Sequence, residues 1–228
     1  VVALVIFAAT LFVIFSEKVN RFIAASAGAS VMLIMGHIFG FYNEKLAMDS
    51  IDIETLGLLL GMMIMVALLE PTGFFQYLAV QAGRLSKGKP VRLLILLGSI
   101  TTLLSMFLDN VTTVVLIAPV TILICEILGM TPLPFLISEA LLSNTGGVAT
   151  LVGDPPNVLI ASASGLTFND FLTHSLPIIA VAWVVALLML RYMFRAELEV
   201  IPENIESVLS LNPSAALDDR KTARRVLI

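Results

Sequence analysis

Long apolar runs separated by short polar segments dominate this chain and restrict what it can fold into. A helix needs about 20 mainly apolar residues to cross the roughly 30 Å hydrocarbon core of a bilayer with its backbone groups bonded internally. Four runs meet or approach this length: residues 1–15, 22–42, 53–70 and 174–194. Hydrophobic residues make up 58% of the chain and charged residues 13%, far from the usage of soluble domains. The sequence therefore predicts an all-α membrane protein surrounded by the lipid bilayer.

Two further regions are apolar but interrupted by polar residues. Residues 91–128 form two arms that meet at Asp109-Asn110, and residues 134–163 are interrupted by Gly146-Gly147 and by Gly153-Asp154-Pro155-Pro156. Residues 91–128 could be two full spans or a re-entrant hairpin, and the two-residue polar tip favours the hairpin. Interrupted membrane segments are where transporters bind ions and substrates.

The basic residues predict the orientation of the chain. If the first span runs from outside to inside, all Lys and Arg residues except Lys45 fall on the cytoplasmic side. We therefore expect a multi-pass protein of the plasma (inner) membrane, with residues 16–21, 71–92 and 195–228 in the cytoplasm.

These patterns divide the chain into three predicted parts. Residues 1–90 hold scaffold helices and a cytoplasmic interfacial helix, and residues 196–228 form a cytoplasmic linker. Residues 91–195 form the transport part, which contains the hairpin 91–128, the broken helix 134–163 and the last helix 174–194. Because the chain begins and ends within apolar sequence, we expect it to come from a longer polypeptide.

The first interruption places a carboxylate between two apolar arms. A charged side chain at the bilayer centre costs about 2.5–3.5 kcal/mol on insertion scales, so Asp109 is expected to be functional. Asp109 or Asn110 is also expected to cap the second arm, whose free amides and positive dipole end would face the site. A purely capping role for Asp109 is the alternative.

The second interruption runs from Ser143 to Asn157. Its paired glycines let a helix unwind and let an ion or another backbone approach, and its two prolines suit the start of a new half-helix. The unwound carbonyls and the side chains of Ser143, Asn144 and Thr145 can then coordinate a cation. The alternative is a kinked span whose polar atoms satisfy one another.

Together, these motifs resemble a known superfamily. They are Asp109-Asn110-Val111-Thr112-Thr113 ahead of Pro119, Ser143-Asn144-Thr145-Gly146-Gly147, and Gly153-Asp154-Pro155-Pro156-Asn157. They are similar to the ion transporter superfamily of arsenite permeases, NhaD-type Na⁺/H⁺ antiporters and the P protein, and more distantly to citrate and dicarboxylate carriers. The resemblance covers essentially the whole chain. It implies the N-terminal half of an inverted-repeat transporter that works by alternating access, often by an elevator motion on a homodimeric scaffold.

The residues and the resemblance together predict one site shared by the hairpin tip and the broken helix. The expected substrate- and ion-binding residues are Asp109, Asn110, Thr112, Thr113, Ser143, Asn144, Thr145, Gly146, Gly147, Thr150, Gly153, Asp154 and Asn157. Na⁺ is expected at Asn110, Asn144 and Gly147, and a second repeat of the same polypeptide is expected to complete the site. Na⁺ or H⁺ is the expected coupling ion, with no other cofactor.

We therefore predict a secondary transporter of a small ion or oxyanion rather than an enzyme. An organic-anion symporter like the citrate and dicarboxylate carriers and a non-transporting membrane scaffold are the alternatives. An intramembrane aspartyl protease is disfavoured because no Tyr-Asp motif surrounds Asp109 and no Gly-x-Gly-Asp occupies residues 151–154. No basic patch supports nucleic-acid binding. Glu126 and Glu139, near the predicted cytoplasmic ends of the hairpin and broken helix, are interpreted as interfacial.

Overall fold

The computed structural model describes residues 1–41, 44–49, 51–200, 202, 204–211 and 213, and every regular element within them is helical. Four of these helices are long and apolar enough to cross a membrane: Arg21–Phe39, Thr55–Thr72, Asn110–Ile127 and Phe168–Met193. The prediction of an all-α, multi-pass membrane protein is confirmed. Residue 42 of the second predicted span and most of the predicted linker beyond Leu211 lie outside the described residues.

Residues Val1–Ile53 form one compact unit. Its described helices are α1 (Val2–Phe15), α2 (Arg21–Phe39) and α3 (Glu44–Asp49). Helices α1 and α2 pack on each other, with Gly28 of α2 against the side chain of Thr10. The side chain of Asn20 caps the start of α2.

Residues Glu54–Ile228 form the second unit, which carries both interruptions. Its described helices are α4 (Ile53–Leu69), a 3₁₀ turn (Glu70–Thr72), α5 (Phe74–Ser86), α6 (Pro90–Ser105), α7 (Asn110–Ile127), α8 (Leu133–Gly147), α9 (Pro155–Ser164), α10 (Phe168–Met193), α11 (Arg195–Leu198) and α12 (Ile205–Ser210). We call α6, α7 and the turn between them the hairpin. We call α8 and α9 the broken helix, and residues 148–154 between them the break.

The hairpin packs directly on the broken helix. Helix α8 makes its most extensive contact with α6, and α7 and α10 also pack on it. The largest fully buried apolar side chains include Leu93, Leu94, Leu97, Ile117, Ile124, Leu128, Phe135, Leu142 and Leu190. Within lipid, helices associate through close packing rather than through the hydrophobic effect, so small residues at their contacts matter most. One such residue is Gly98 of α6, which lies against Leu142 of α8.

Local sequence explains where these helices begin. Pro90 lies in the first turn of α6, and Pro155 and Pro156 open α9. Helix α10 begins with a capping box, in which the side chains of Thr167 and Asp170 each bond the backbone amide of the other residue. The last helix therefore starts at Phe168 rather than at the predicted residue 174.

Candidate functional site

The turn at the hairpin tip is fixed by Asp109. Its Oδ2 accepts a hydrogen bond from the amide of Thr112 at 3.0 Å, and its carbonyl accepts one from the hydroxyl of Thr113 at 3.0 Å. Asp109 is thus the N-cap of α7, which confirms the predicted capping role. Its carboxyl group is half-buried and also lines the groove described below.

The break is held by hydrogen bonds between its own residues. The buried side-chain amide of Asn157 donates to the carbonyl of Gly147 at 3.1 Å and to the carbonyl of Thr150 at 2.8 Å. The amide of Gly153 donates to the hydroxyl of Thr150 at 3.1 Å. Helix α8 ends at Gly147 and α9 begins at Pro155, so the predicted start of a half-helix at the prolines is confirmed.

The two interruptions are in direct contact. The side-chain amide of Asn110 donates to the side-chain oxygen of Asn144, and the hydroxyl of Thr150 donates to the carbonyl of Met106. Further along the same contact, the hydroxyl of Thr102 donates to the carbonyl of Leu142 at 3.2 Å. The hairpin tip and the break therefore satisfy part of each other's hydrogen-bonding capacity, which is essential for irregular backbone inside a membrane.

Two glycines make this approach possible. A Cβ atom on Gly146 would overlap the backbone of Thr102 in α6, whose Cα would be 3.0 Å away. A Cβ atom on Gly153 would lie 2.6 Å from the carbonyl oxygen of Gly147 and 2.7 Å from that of Ser105. Only glycine allows the backbones to come this close.

A groove of about 600 Å³ lies between the hairpin tip, the break and the end of α4. Its described polar lining consists of Glu70, Asp109, Asn110, Thr112 and Asp154, and none of the described lining residues is basic. Asp109 and Asp154, from the hairpin tip and the break, both line this groove. We call this feature the acidic groove. Among the described residues, no three acidic, His or Cys side chains are arranged to hold a metal ion.

The predicted site residues fall into three groups. Asp109, Asn110, Thr112 and Asp154 line the acidic groove. The contact between the tip and the break, together with the bonding inside the break, involves Asn110, Asn144, Gly146, Gly147, Thr150, Gly153 and Asn157. The hydroxyls of the third group donate to carbonyls near them in the chain: Thr113 to Asp109, Ser143 to Ala140 at 3.0 Å, and Thr145 to Leu141 at 2.9 Å.

The three expected sodium ligands already have protein partners. Asn110 and Asn144 bond each other, and the carbonyl of Gly147 accepts from Asn157. A carbonyl oxygen has two lone pairs, so Gly147 keeps capacity for a second partner. The sodium site remains a prediction.

Two residues that the sequence reasoning did not single out lie at this site. Glu70, in the 3₁₀ turn after α4, lines the acidic groove. Ser105 is buried, and its hydroxyl has no partner among the described residues. Glu70 could have been recognised as an acidic residue at the end of an apolar run. Ser105 could have been recognised as a hydroxyl one helical turn before Asp109.

The two glutamates interpreted as interfacial differ. Glu126 is exposed, whereas Glu139 is entirely buried within the chain, so that interpretation is wrong for Glu139. Helix α8 is apolar on several sides, and its sequence therefore did not show which side meets α7.

The comparisons with known proteins agree with this architecture. A family model described as citrate transporter matches residues 10–228. A 46 kDa membrane protein of Mycobacterium leprae is 45% identical over 223 residues, which are 96% of this chain and 51% of that protein. An uncharacterized transporter of Mycobacterium tuberculosis is 43% identical over 223 residues, with the same 96% and 51% coverage. The human P protein is 42% identical over 199 residues, which are 85% of this chain and 24% of that protein.

The chain spans about half the length of the mycobacterial relatives that it matches. The predicted relationship to the P protein and to citrate carriers is confirmed. Since the family model covers nearly the whole sequence and these relatives align along most of it, the chain belongs to the citrate transporter family of membrane proteins.

Proposed function

We propose that this chain is half of a secondary transporter that moves a small ion across the membrane, coupled to Na⁺ or H⁺. The observation that carries the proposal is the contact of the hairpin tip with the break, through Asn110 and Asn144, beside a groove that contains Asp109 and Asp154. A cation that leaves water needs oxygen ligands and negative charge, and both are concentrated here. The citrate transporter family and the relatives named as transporters support transport rather than catalysis.

The charge of the acidic groove supports a cation as the species that enters it. Three carboxylates, from Glu70, Asp109 and Asp154, line the groove without a basic side chain. A cleft with one sign of charge attracts ions of the opposite sign and repels those of the same sign. We propose that Asp109 and Asp154 exchange the proton or sodium ion.

The substrate is proposed to lie at the starts of α7 and α9. Both helices begin beside the groove, at Asn110 and Pro155, and a helix N-terminus offers unpaired amides and a positive dipole end. An oxyanion or a polar neutral substrate could accept hydrogen bonds there, beside a cation held by the carboxylates.

We propose the remaining parts of the transporter, a second repeat and a homodimeric scaffold, from the family resemblance. The mycobacterial relatives are about twice as long as this chain, so we propose that a second, inverted repeat completes the site. The hairpin and broken helix would move together against a scaffold that forms a homodimer. Their direct contact supports joint movement for as long as the two are packed together.

An organic-anion symporter is the second candidate, and the family description as citrate transporter favours it. The two candidates differ in the cargo and agree on coupling to a cation. Full-length protein in proteoliposomes separates them with three probes: radioactive sodium with a pH dye inside the vesicles, radiolabelled citrate, and radiolabelled arsenite.

Asp109→Asn is the decisive variant. Asparagine is as good an N-cap as aspartate, so this change removes the charge while retaining the cap of α7. We expect it to abolish coupled flux of whichever probe the wild-type protein carries, without preventing membrane insertion. Glu126→Gln, at an exposed acid near the other end of α7, is the matched control and should transport normally.

Each outcome has a distinct meaning. Full flux in Asp109→Asn would remove Asp109 from the mechanism. Citrate uptake that depends on a sodium or proton gradient would establish the organic-anion symporter. A wild-type protein that carries none of the probes, although correctly inserted, would support the non-transporting scaffold.

A further inference from the structure

A second acidic group lies away from the acidic groove, inside the contact between the hairpin and the broken helix. Glu139 of α8 is 0% exposed. Its Oε1 accepts a hydrogen bond of 2.5 Å from the hydroxyl of Thr121 in α7, which is also 0% exposed. Its Oε2 is buried and has no partner among the described residues.

No basic group neutralises this carboxyl in the described part of the chain. Helix α7 carries two ionisable side chains, the buried thiol of Cys125 and the exposed carboxyl group of Glu126, and neither is basic. Helices α6 and α10 also pack on α8, and none of their ionisable side chains forms a described salt bridge with Glu139. Those side chains are Arg92 on α6 and Asp170, His174, Arg191 and Tyr192 on α10.

Such surroundings favour the neutral form of the acid. An ionised carboxylate that is shielded from water needs a countercharge or several donors, and the described residues offer Glu139 one hydroxyl, that of Thr121. If this contact were purely structural, an apolar residue would stabilise it at a lower free-energy cost, because it would leave no buried oxygen without a partner. The combination of a buried acid and an unsatisfied oxygen indicates a group that changes its protonation state.

We propose that Glu139 is a proton-binding site, separate from the acidic groove, that holds a proton while α7 and α8 are packed together. When the contact loosens and water enters, the carboxylic acid releases its proton to water and becomes a carboxylate; no other covalent bond changes. This proposal rests on the proposed transport function and names H⁺ as a coupling ion.

The position of Glu139 links it to the site. Thr121 belongs to the second arm of the hairpin, and Glu139 precedes Asn144 by five residues on α8, about 7.5 Å along the helix axis. The Thr121–Glu139 and Asn110–Asn144 bonds therefore join the same two helices at two levels. A movement that parts the hairpin from the broken helix would open both.

Infrared difference spectroscopy on the full-length protein tests proton binding without a substrate. A protonated carboxylic acid has its own carbonyl band, and we expect one such band to be lost as the pH is raised and to be missing from Glu139→Gln. Glutamine keeps an oxygen that can accept from Thr121. The absence of a band assignable to Glu139, or a band that stays constant at every pH where the protein is folded, would overturn the proposal.

Proton movement in proteoliposomes provides the second measurement. A pH dye inside the vesicles reports protons that move when a sodium or citrate gradient is imposed. We expect Glu139→Gln to lose this movement and Glu126→Gln to keep it; unchanged movement in Glu139→Gln refutes the proposal. A wild-type protein with a titrating Glu139 band and no flux would disprove the proposed function and support the proton site.

Thr121→Val provides a second test of proton binding at Glu139 if the Glu139→Gln variant does not insert into the membrane. This variant removes the hydroxyl that donates to the Glu139 carboxyl group, so the band should persist to higher pH than in the wild type. Thr121→Ser keeps a hydroxyl and should behave like the wild type. An unchanged midpoint in Thr121→Val would contradict the assignment.

Discussion

Replacement of Gly146 by alanine tests the contact on which the site depends. The added Cβ would overlap the carbonyl oxygen of Thr102 and lie 3.0 Å from both its carbonyl carbon and its Cα. These are backbone atoms of α6, so they cannot rotate away as a flexible side chain would. Helices α6 and α8 must therefore separate, and the tip of the hairpin would move away from the break.

The size of the effect follows from two opposing contributions. Overpacking costs about 1–3 kcal/mol, and contact with backbone places Gly146→Ala near the upper end of that range. Alanine is favoured over glycine inside a helix by about 0.5–1 kcal/mol, which offsets part of the cost. The net loss is about 2 kcal/mol, or a fall in Tm of roughly 4–8 °C for a protein of this chain's length and less for a longer one.

Thermal unfolding in detergent, followed by size-exclusion chromatography, measures this loss. Gly61→Ala is the matched control because Gly61 also lies in a helix, and no described atom outside that helix's own backbone lies within 4 Å of its added Cβ. We expect the Tm of Gly61→Ala to be unchanged or higher. An unaltered Tm in Gly146→Ala, or an equal fall in both variants, would show that the approach of α6 to α8 does not constrain the fold.

Two further substitutions test the local hydrogen bonds. Asn157→Leu keeps the size of the side chain but leaves the carbonyls of Gly147 and Thr150 without their donor, so unfolding should become easier by about 1–3 kcal/mol. The same substitution at the exposed Asn169 should leave the Tm unchanged, and an equal loss there would contradict the role of the break. Thr167→Ala removes half of the capping box of α10 and should cost about 1 kcal/mol without reducing flux, as measured by Tm and proteoliposome uptake.

The parts of the fold that depend on local signals were predictable. Asp109 could be recognised as a cap because it is a good N-cap residue directly before an apolar run. Pro155 could be recognised as the start of a helix because proline suits the first turn. The start of α10 was placed too late, although Thr167 and Asp170 have the spacing of a capping box. That signal is present in the sequence and was outweighed by hydropathy.

Features that depend on contacts between distant segments were harder to predict. Glu70 and Asp154 are far apart in sequence, and their position in one groove follows from the packing of α4 against the hairpin tip. Glu139 lies near the predicted cytoplasmic end of the broken helix, which favoured an interfacial position, and its helix lacks a single apolar face that would identify the side toward α7. The roles of the predicted site residues stay predictions until flux is measured.

The two hydrogen bonds from Asn157 restrict how the broken helix can move within the membrane. The side chain of Asn157, in the first turn of α9, donates hydrogen bonds to the last carbonyl of α8, that of Gly147, and to the carbonyl of Thr150 in the break. These two hydrogen bonds make the break between α8 and α9 rigid, although an interruption in a helix looks like a point where it could bend. In the alternating-access transport proposed above, the surrounding helices would then move past the broken helix, because the connection between α8 and α9 resists bending.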